Sequence, residues 1–189
     1  LNEEIFIHTL SEIKSLGLDA WSELLLRKED HEIVFNKGGL LFANVSDFAY
    51  FKNNSANVTY IKYFLDGSLG ARTAWLSQAY SDEPSIGLQQ WTDSDLKSSI
   101  EQSLDHGFLV AFHAIGDAAL DQLLRVTTPL LDKLKKNTQK GFLHRIEHLQ
   151  VCRDDQIDLI SQQKIWSLGL QPSHRVADQS FSLERLGEE

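Results

Sequence analysis

The chain has 189 residues, 42% of them hydrophobic, with 18 Lys+Arg against 27 Asp+Glu and a formal net charge of −9. That is enough for one domain with a real core, and the composition excludes collagen-like, disordered and disulfide-stapled classes. The acidic balance argues against a nucleic-acid partner, and no apolar run approaches the roughly 20 residues of a membrane span. The single Cys152 allows no intrachain disulfide and favours a reducing, cytoplasmic setting. Methionine is absent. A chain opening Leu1-Asn2-Glu3-Glu4 without it points to a removed leader or to an internal piece of a longer protein.

Ile5, Phe6, Leu10, Ile13 and Leu16 recur at helical spacing before Gly17, predicting an amphipathic helix over 3–16. Short strands are expected across 33–65, the clearest being 58–65. Residues 66–91 hold Gly67, Gly70, Pro84 and Gly87 with little periodicity and read as a long loop, a kind of segment that is usually functional or disordered. Thr92 or Asp93 then caps a helix with Leu96, Ile100 and Leu104 on one face, stopped by Gly107. Residues 108–112 read as a buried strand. Asp117 opens a helix carrying Leu120, Leu123, Leu124, Leu130, Leu131 and Leu134, whose Lys133, Lys135 and Lys136 read as a solvated end that complements the helix dipole. A strand over 142–146, a helix from Asp154 and a strand over 165–170 follow. Strands alternating with helices at this spacing mean an α/β chain with right-handed crossovers and a parallel sheet.

In such folds the reactive groups collect at the carboxyl ends of the strands. The strand 58–65 contains Lys62 and ends in Asp66-Gly67-Ser68. The next ends in His113, the third in Glu147-His148, and the fourth in Gln171-Pro172-Ser173-His174. A lone histidine at a strand end is more often structural. Neighbouring parallel strands lie about 4.8 Å apart, however, so histidines at equivalent heights can converge on one metal ion. Strand alternation places Glu147 and Arg145 opposite to His148 and Ile146. His148 in the pocket therefore predicts Glu147 against the surrounding helices, paired with Arg145 or another cation as a structural element. Lys62, inside an apolar strand on the face of Phe64 and Asp66, reads either as a salt bridge to Asp66 or as an amine poised to form a metal-bridging carbamate.

The ordered segments Lys62-Tyr63-Phe64-Leu65-Asp66-Gly67-Ser68-Leu69-Gly70-Ala71-Arg72-Thr73-Ala74, His113-Ala114-Ile115-Gly116-Asp117, Arg145-Ile146-Glu147-His148 and Gln171-Pro172-Ser173-His174 with Asp178 resemble the motifs of amidohydrolase family 3. That family belongs to the metal-dependent hydrolase superfamily that includes ureases and dihydroorotases. The resemblance covers residues 58–187 and leaves 1–57 unassigned. It implies a (β/α)8 barrel, of which this chain would be roughly the portion from strand 3 to strand 7. It implies one or two divalent metal ions, usually zinc, held by His113 and His148, with Lys62 as a carboxylated bridging ligand. Asp66, Arg72, Gln171 and His174 would surround a small amide-type substrate, whose C–N bond is hydrolysed by metal-activated water.

The departures are as informative. The family's first strand ends in His-x-His, and no such pair exists among His8, His31, His106, His113, His144, His148 and His174. The aspartate that takes the water's proton belongs to a last strand beyond Glu189, and Asp178 matches a different motif. With a barrel needing about 250 residues, the expectation is an internal fragment that binds metal weakly or not at all, turns nothing over and self-associates through exposed sheet edges. The competing expectation is a non-catalytic binding or structural module derived from such a barrel. Gly67-Ser68-Leu69-Gly70 lacks the spacing of a serine nucleophile elbow.

Overall fold

The computed structural model describes residues 20–26, 56–105, 107–138 and 142–187. The helix expected over 3–16 and the strands expected between 33 and 55 lie outside them. Two compact units divide the chain at Lys62. In the first, strand β1 (Ala20–Leu26), which the sequence pattern did not signal, neighbours β2 (Ala56–Phe64).

In the second unit the expected alternation is present. Helix α1 (Asp93–Asp105) precedes β3 (Leu109–Ala114) and α2 (Asp117–Thr127), and a 3-10 turn (Thr128–Leu130) leads into α3 (Leu131–Asn137). Then come β4 (His144–His148), α4 (Asp154–Gln163), β5 (Trp166–Gly169), α5 (Pro172–Asp178) and α6 (Ser182–Leu186). β3 pairs with β4 and β4 with β5, both in parallel. The protein is α/β.

Local chemistry explains the boundaries. Thr92 is the cap of α1, accepting the Asp95 N–H at 3.2 Å, while Leu96, Ile100 and Leu104 are buried and Gly107 turns the chain away at φ +81°. The single helix expected from 117 to 134 is broken where Pro129 removes a donor. There the hydroxyls of Thr127 and Thr128 donate back to the carbonyls of Leu123 and Leu124. The two short helices after β5 were not anticipated.

The register separates the two faces of the sheet. One faces the helices: the Tyr63 hydroxyl donates to the Ser99 carbonyl on α1, and the Tyr63 ring stacks on Phe112, with centroids 5.5 Å apart. Phe112 in turn meets Trp166 edge-on. His144 lies on this side, fully buried, accepting the Val110 N–H at Nδ1 and donating Nε2–H to the Leu134 carbonyl on α3. Each large apolar side chain buried here contributes about 1.5–3 kcal/mol. The other face, by alternation and pairing, carries Ala111 and His113 on β3, Arg145 and Glu147 on β4, and Ser167 and Gly169 on β5. Of the candidate residues, His113 belongs to that second face.

Candidate metal centre

His113 stands near the carboxyl end of β3, its Nε2 2.8 Å from the Gly67 carbonyl oxygen. A carbonyl can only accept, so Nε2 carries the hydrogen, and the neutral ring has its lone pair on Nδ1. Asp66 Oδ1 lies 3.4 Å from the same Nε2, and the Phe64 ring packs against the imidazole at 5.1 Å between centroids.

His148 reaches the same place by breaking the alternation. Its register partner is Ala114, and its residue parity is that of the helix-facing His144 and Ile146. Its own φ is +79°, however, and that of Leu149 is +50°, a left-handed exit uncommon for residues bearing a Cβ. The Leu149 N–H donates to the Ala114 carbonyl at 3.0 Å and holds this turn. The result is a His148 ring 4.5 Å from that of His113, centroid to centroid. His174 on α5 stacks on His148 at 5.8 Å between centroids, with the planes 13° apart.

This corrects the expectation for Glu147. It does pair with Arg145, whose Nε lies 2.7 Å from Glu147 Oε1. The pair sits on the face of His113 and not against the helices, because the chain turns at His148 where strict alternation was assumed.

Asp66 is buried, and its carboxylate is engaged by main-chain donors. Oδ2 accepts the N–H groups of Trp75 at 3.0 Å and Gly116 at 2.8 Å, and Oδ1 that of Ile115 at 3.1 Å. Burial pushes its pKa up to about 6, against the lowering influence of those three hydrogen bonds. The approach that brings these segments together requires glycine at 116, since a Cβ there would stand 1.9 Å from the Trp75 carbonyl oxygen.

The other candidates are placed as follows. Lys62 is the last residue of the first unit, half-buried on β2. Arg72 sits in the 66–91 loop with its guanidinium forked onto Asp82 at 3.1 and 2.6 Å. Gln171 donates Nε2–H to the Gly169 carbonyl at 2.7 Å, while its Oε1 is buried with no hydrogen-bond partner among the described residues. Asp178 accepts from Gln150 Nε2 at 2.6 Å. The motifs include Asp117 but not Ser77, Asp121 or Arg153, which it or its helix α2 engages. Ser77 donates its N–H to Asp117 at 2.8 Å, and Arg153 reaches Asp117 at 3.0 Å and Asp121 at 2.7 Å. Their only sequence signal is the Gly116-Asp117 helix start. Among the described residues no three His, Cys, Asp or Glu side chains converge closely enough to hold a metal ion. No described helix is long and apolar enough to cross a membrane.

Residues 10–189 match the family model described as the amidohydrolase family. YtcJ of Bacillus subtilis strain 168, which carries the amidohydrolase name, is 35% identical over 131 residues, covering 68% of this chain and 23% of that protein. The Arabidopsis thaliana protein LONG AFTER FAR-RED 3 is 28% identical over 173 residues, covering 91% of this chain and 26% of that protein. An uncharacterized metal-dependent hydrolase from Pyrococcus horikoshii OT3 superposes with a TM-score of 0.69 at 31% identity, over 96% of this chain and 33% of that one. Its counterpart from Pyrococcus furiosus gives 0.65 at 29% identity, over 96% and 35%. The chain thus spans about a quarter of these curated relatives and a third of these solved structures.

Proposed function

Because the chain belongs to the amidohydrolase family, we propose that it supplies part of the metal centre of a hydrolase acting on the C–N bond of an amide, N-acyl or cyclic amide compound. The observation that carries this reading is the meeting of the His113 and His148 rings at 4.5 Å, at the ends of two adjacent parallel strands. The donor chemistry fits: neutral imidazoles suit zinc better than they suit magnesium, calcium or manganese, and a ligating histidine characteristically donates its other ring N–H to a carbonyl, as His113 does to Gly67. A bound divalent ion would supply a water of lowered pKa and polarise the substrate carbonyl.

The chain's own residues then divide the remaining work. His113, anchored at Nε2, would bind through Nδ1, and His148 beside it would be the second donor. Lys62, matching the family's lysine motif, is the proposed third, as a carbamate. Gln171 offers a buried acceptor oxygen to a substrate N–H, its amide nitrogen already committed to Gly169. His174, stacked on His148, borders the same space. The strands β2 to β5 are read as a stretch of a (β/α)8 barrel, cytoplasmic and prone to self-association.

With no His-x-His pair among its histidines, the 189-residue chain holds metal weakly and shows no turnover. Equilibrium dialysis against zinc tests this: the expected binding is weak, readily reversed by chelator, and lost in His113→Ala and His148→Ala. Zinc uptake identical in the parent chain and both variants would overturn the site. One or two ions resisting chelator would overturn its incompleteness.

A further inference from the structure

We propose that Asp66 is a positioning residue: its carboxylate docks the start of the 66–91 loop onto the β3–α2 turn, and this docking sets the tautomer and orientation of the His113 imidazole through the neighbouring Gly67 carbonyl. The role differs from contact with substrate, because the Asp66 side chain is wholly inaccessible and both its oxygens are engaged.

Three consecutive residues converge on one strand end. The Leu65 N–H donates to the main-chain carbonyl of His113 at 3.0 Å. Asp66 accepts from Ile115 and Gly116, two and three residues beyond His113, and from Trp75 on the returning arm of the loop. Gly67 then presents its carbonyl to His113 Nε2 at 2.8 Å. The first contact holds the end of β3 and the second the turn after it, and a simple staple would need nothing more. The third addresses the ring itself: Gly67 is the residue after Asp66, and its peptide N–H, which begins at the Asp66 carbonyl carbon, is itself tied to the Thr73 carbonyl at 2.9 Å. The loop cannot slide to release the ring while the carboxylate holds amides on both sides of it. Oδ1, 3.4 Å from Nε2, adds a second acceptor on the same edge of the imidazole and further disfavours the Nδ1–H tautomer.

The importance of this tautomer for chemistry rests on reading His113 as a metal donor, but the tautomer can be measured without metal. Long-range 1H–15N spectra of the uniformly 15N-labelled, metal-free chain report which imidazole nitrogen bears hydrogen. His144, whose Nε2–H is fixed independently by the Leu134 carbonyl, is the internal control. The expected result is Nε2–H for His113 in the parent chain. In Asp66→Asn, His113 should shift to a mixture of tautomers, with His144 unchanged and the backbone amide spectrum still dispersed. Asp66→Glu, which keeps the charge but displaces it by one methylene, should produce a smaller shift of the same kind and serves if Asp66→Asn does not fold. A folded variant in which His113 keeps its parent nitrogen shifts would reduce Asp66 to a loop staple. A parent His113 protonated at Nδ1 would overturn the proposal without any variant. Since no metal is added, neither result depends on the zinc experiment.

Discussion

The carboxylate of Glu147 stands where a side chain at residue 169 would begin: a Cβ built on Gly169 would lie 1.9 Å from Glu147 Oε2. The two residues are register partners on β4 and β5. Glycine at 169 thus makes room for a buried acid whose cation, Arg145, comes from its own strand two residues earlier. The acid and its arginine share a face with His113, so this pair forms part of the packing beneath the imidazoles.

Gly169→Ala should therefore cost about 1–3 kcal/mol, the usual penalty for forcing one extra carbon into a packed site. Urea unfolding would read it as a lower midpoint with an unchanged slope. The specific claim is coupling: in a Glu147→Ala background the same substitution should cost almost nothing. Equal costs in both backgrounds would show that the glycine is required for some other reason.

That pair also shows where sequence reading stops. The class, the strand and helix order and the histidines at strand ends follow from periodicity and from caps such as Thr92, because those signals are local. The Arg145–Glu147 pairing was legible for the same reason, being two residues apart on one strand. Its face was not, since the φ of +79° at His148 goes with a hydrogen bond from the Leu149 N–H to Ala114 on another strand, which no pattern in residues 144–148 encodes. Asp66 is a similar case. The motif marks it, but its partners are main-chain N–H groups 9, 49 and 50 residues away, and backbone donors leave no residue-type signature.

His144 makes a prediction about acid. Its ring is buried among Val110, Leu134 and Trp166, and burial lowers its pKa below the ordinary histidine value, the Leu134 hydrogen bond opposing this in part. The unfolded chain therefore takes up this proton at a higher pH than the folded one. Stability contributed by neutral His144 is fully present above the unfolded pKa of about 6.5 and is lost as pH falls from there toward the folded pKa. Protonation would also place an N–H where Nδ1 now accepts from Val110. Unfolding midpoints measured from about pH 7.5 down to about pH 5 should fall less steeply in His144→Gln than in the parent chain. Parallel slopes would mean that other groups carry the acid sensitivity.

The last prediction concerns the segment that brings His174 to the site. α6 buries none of its own residues, and Phe181 and Arg185 tie the segment between β5 and Gly187 to the 66–91 loop. Arg185 pairs with Asp82, and the Ser81 N–H donates to the Arg185 carbonyl at 2.9 Å. Phe181 packs against the cluster of Leu69, Ala74, Leu76, Tyr80 and Ile115. Asp82 also holds Arg72, so one carboxylate joins a motif arginine of the loop to the end of α6, and both arginines hold its pKa down. Elements that bury none of their own residues open locally at low cost. Arg185→Ala should speed amide hydrogen exchange across residues 171–187 several-fold while leaving β3 and β4 at their parent rates. Arg72→Ala should affect the loop alone, because Arg185 still holds Asp82 without it. A uniform rise in exchange across all strands would instead make Arg185 a determinant of global stability. That outcome would leave the His174–His148 stacking dependent on the whole fold and not on this one latch.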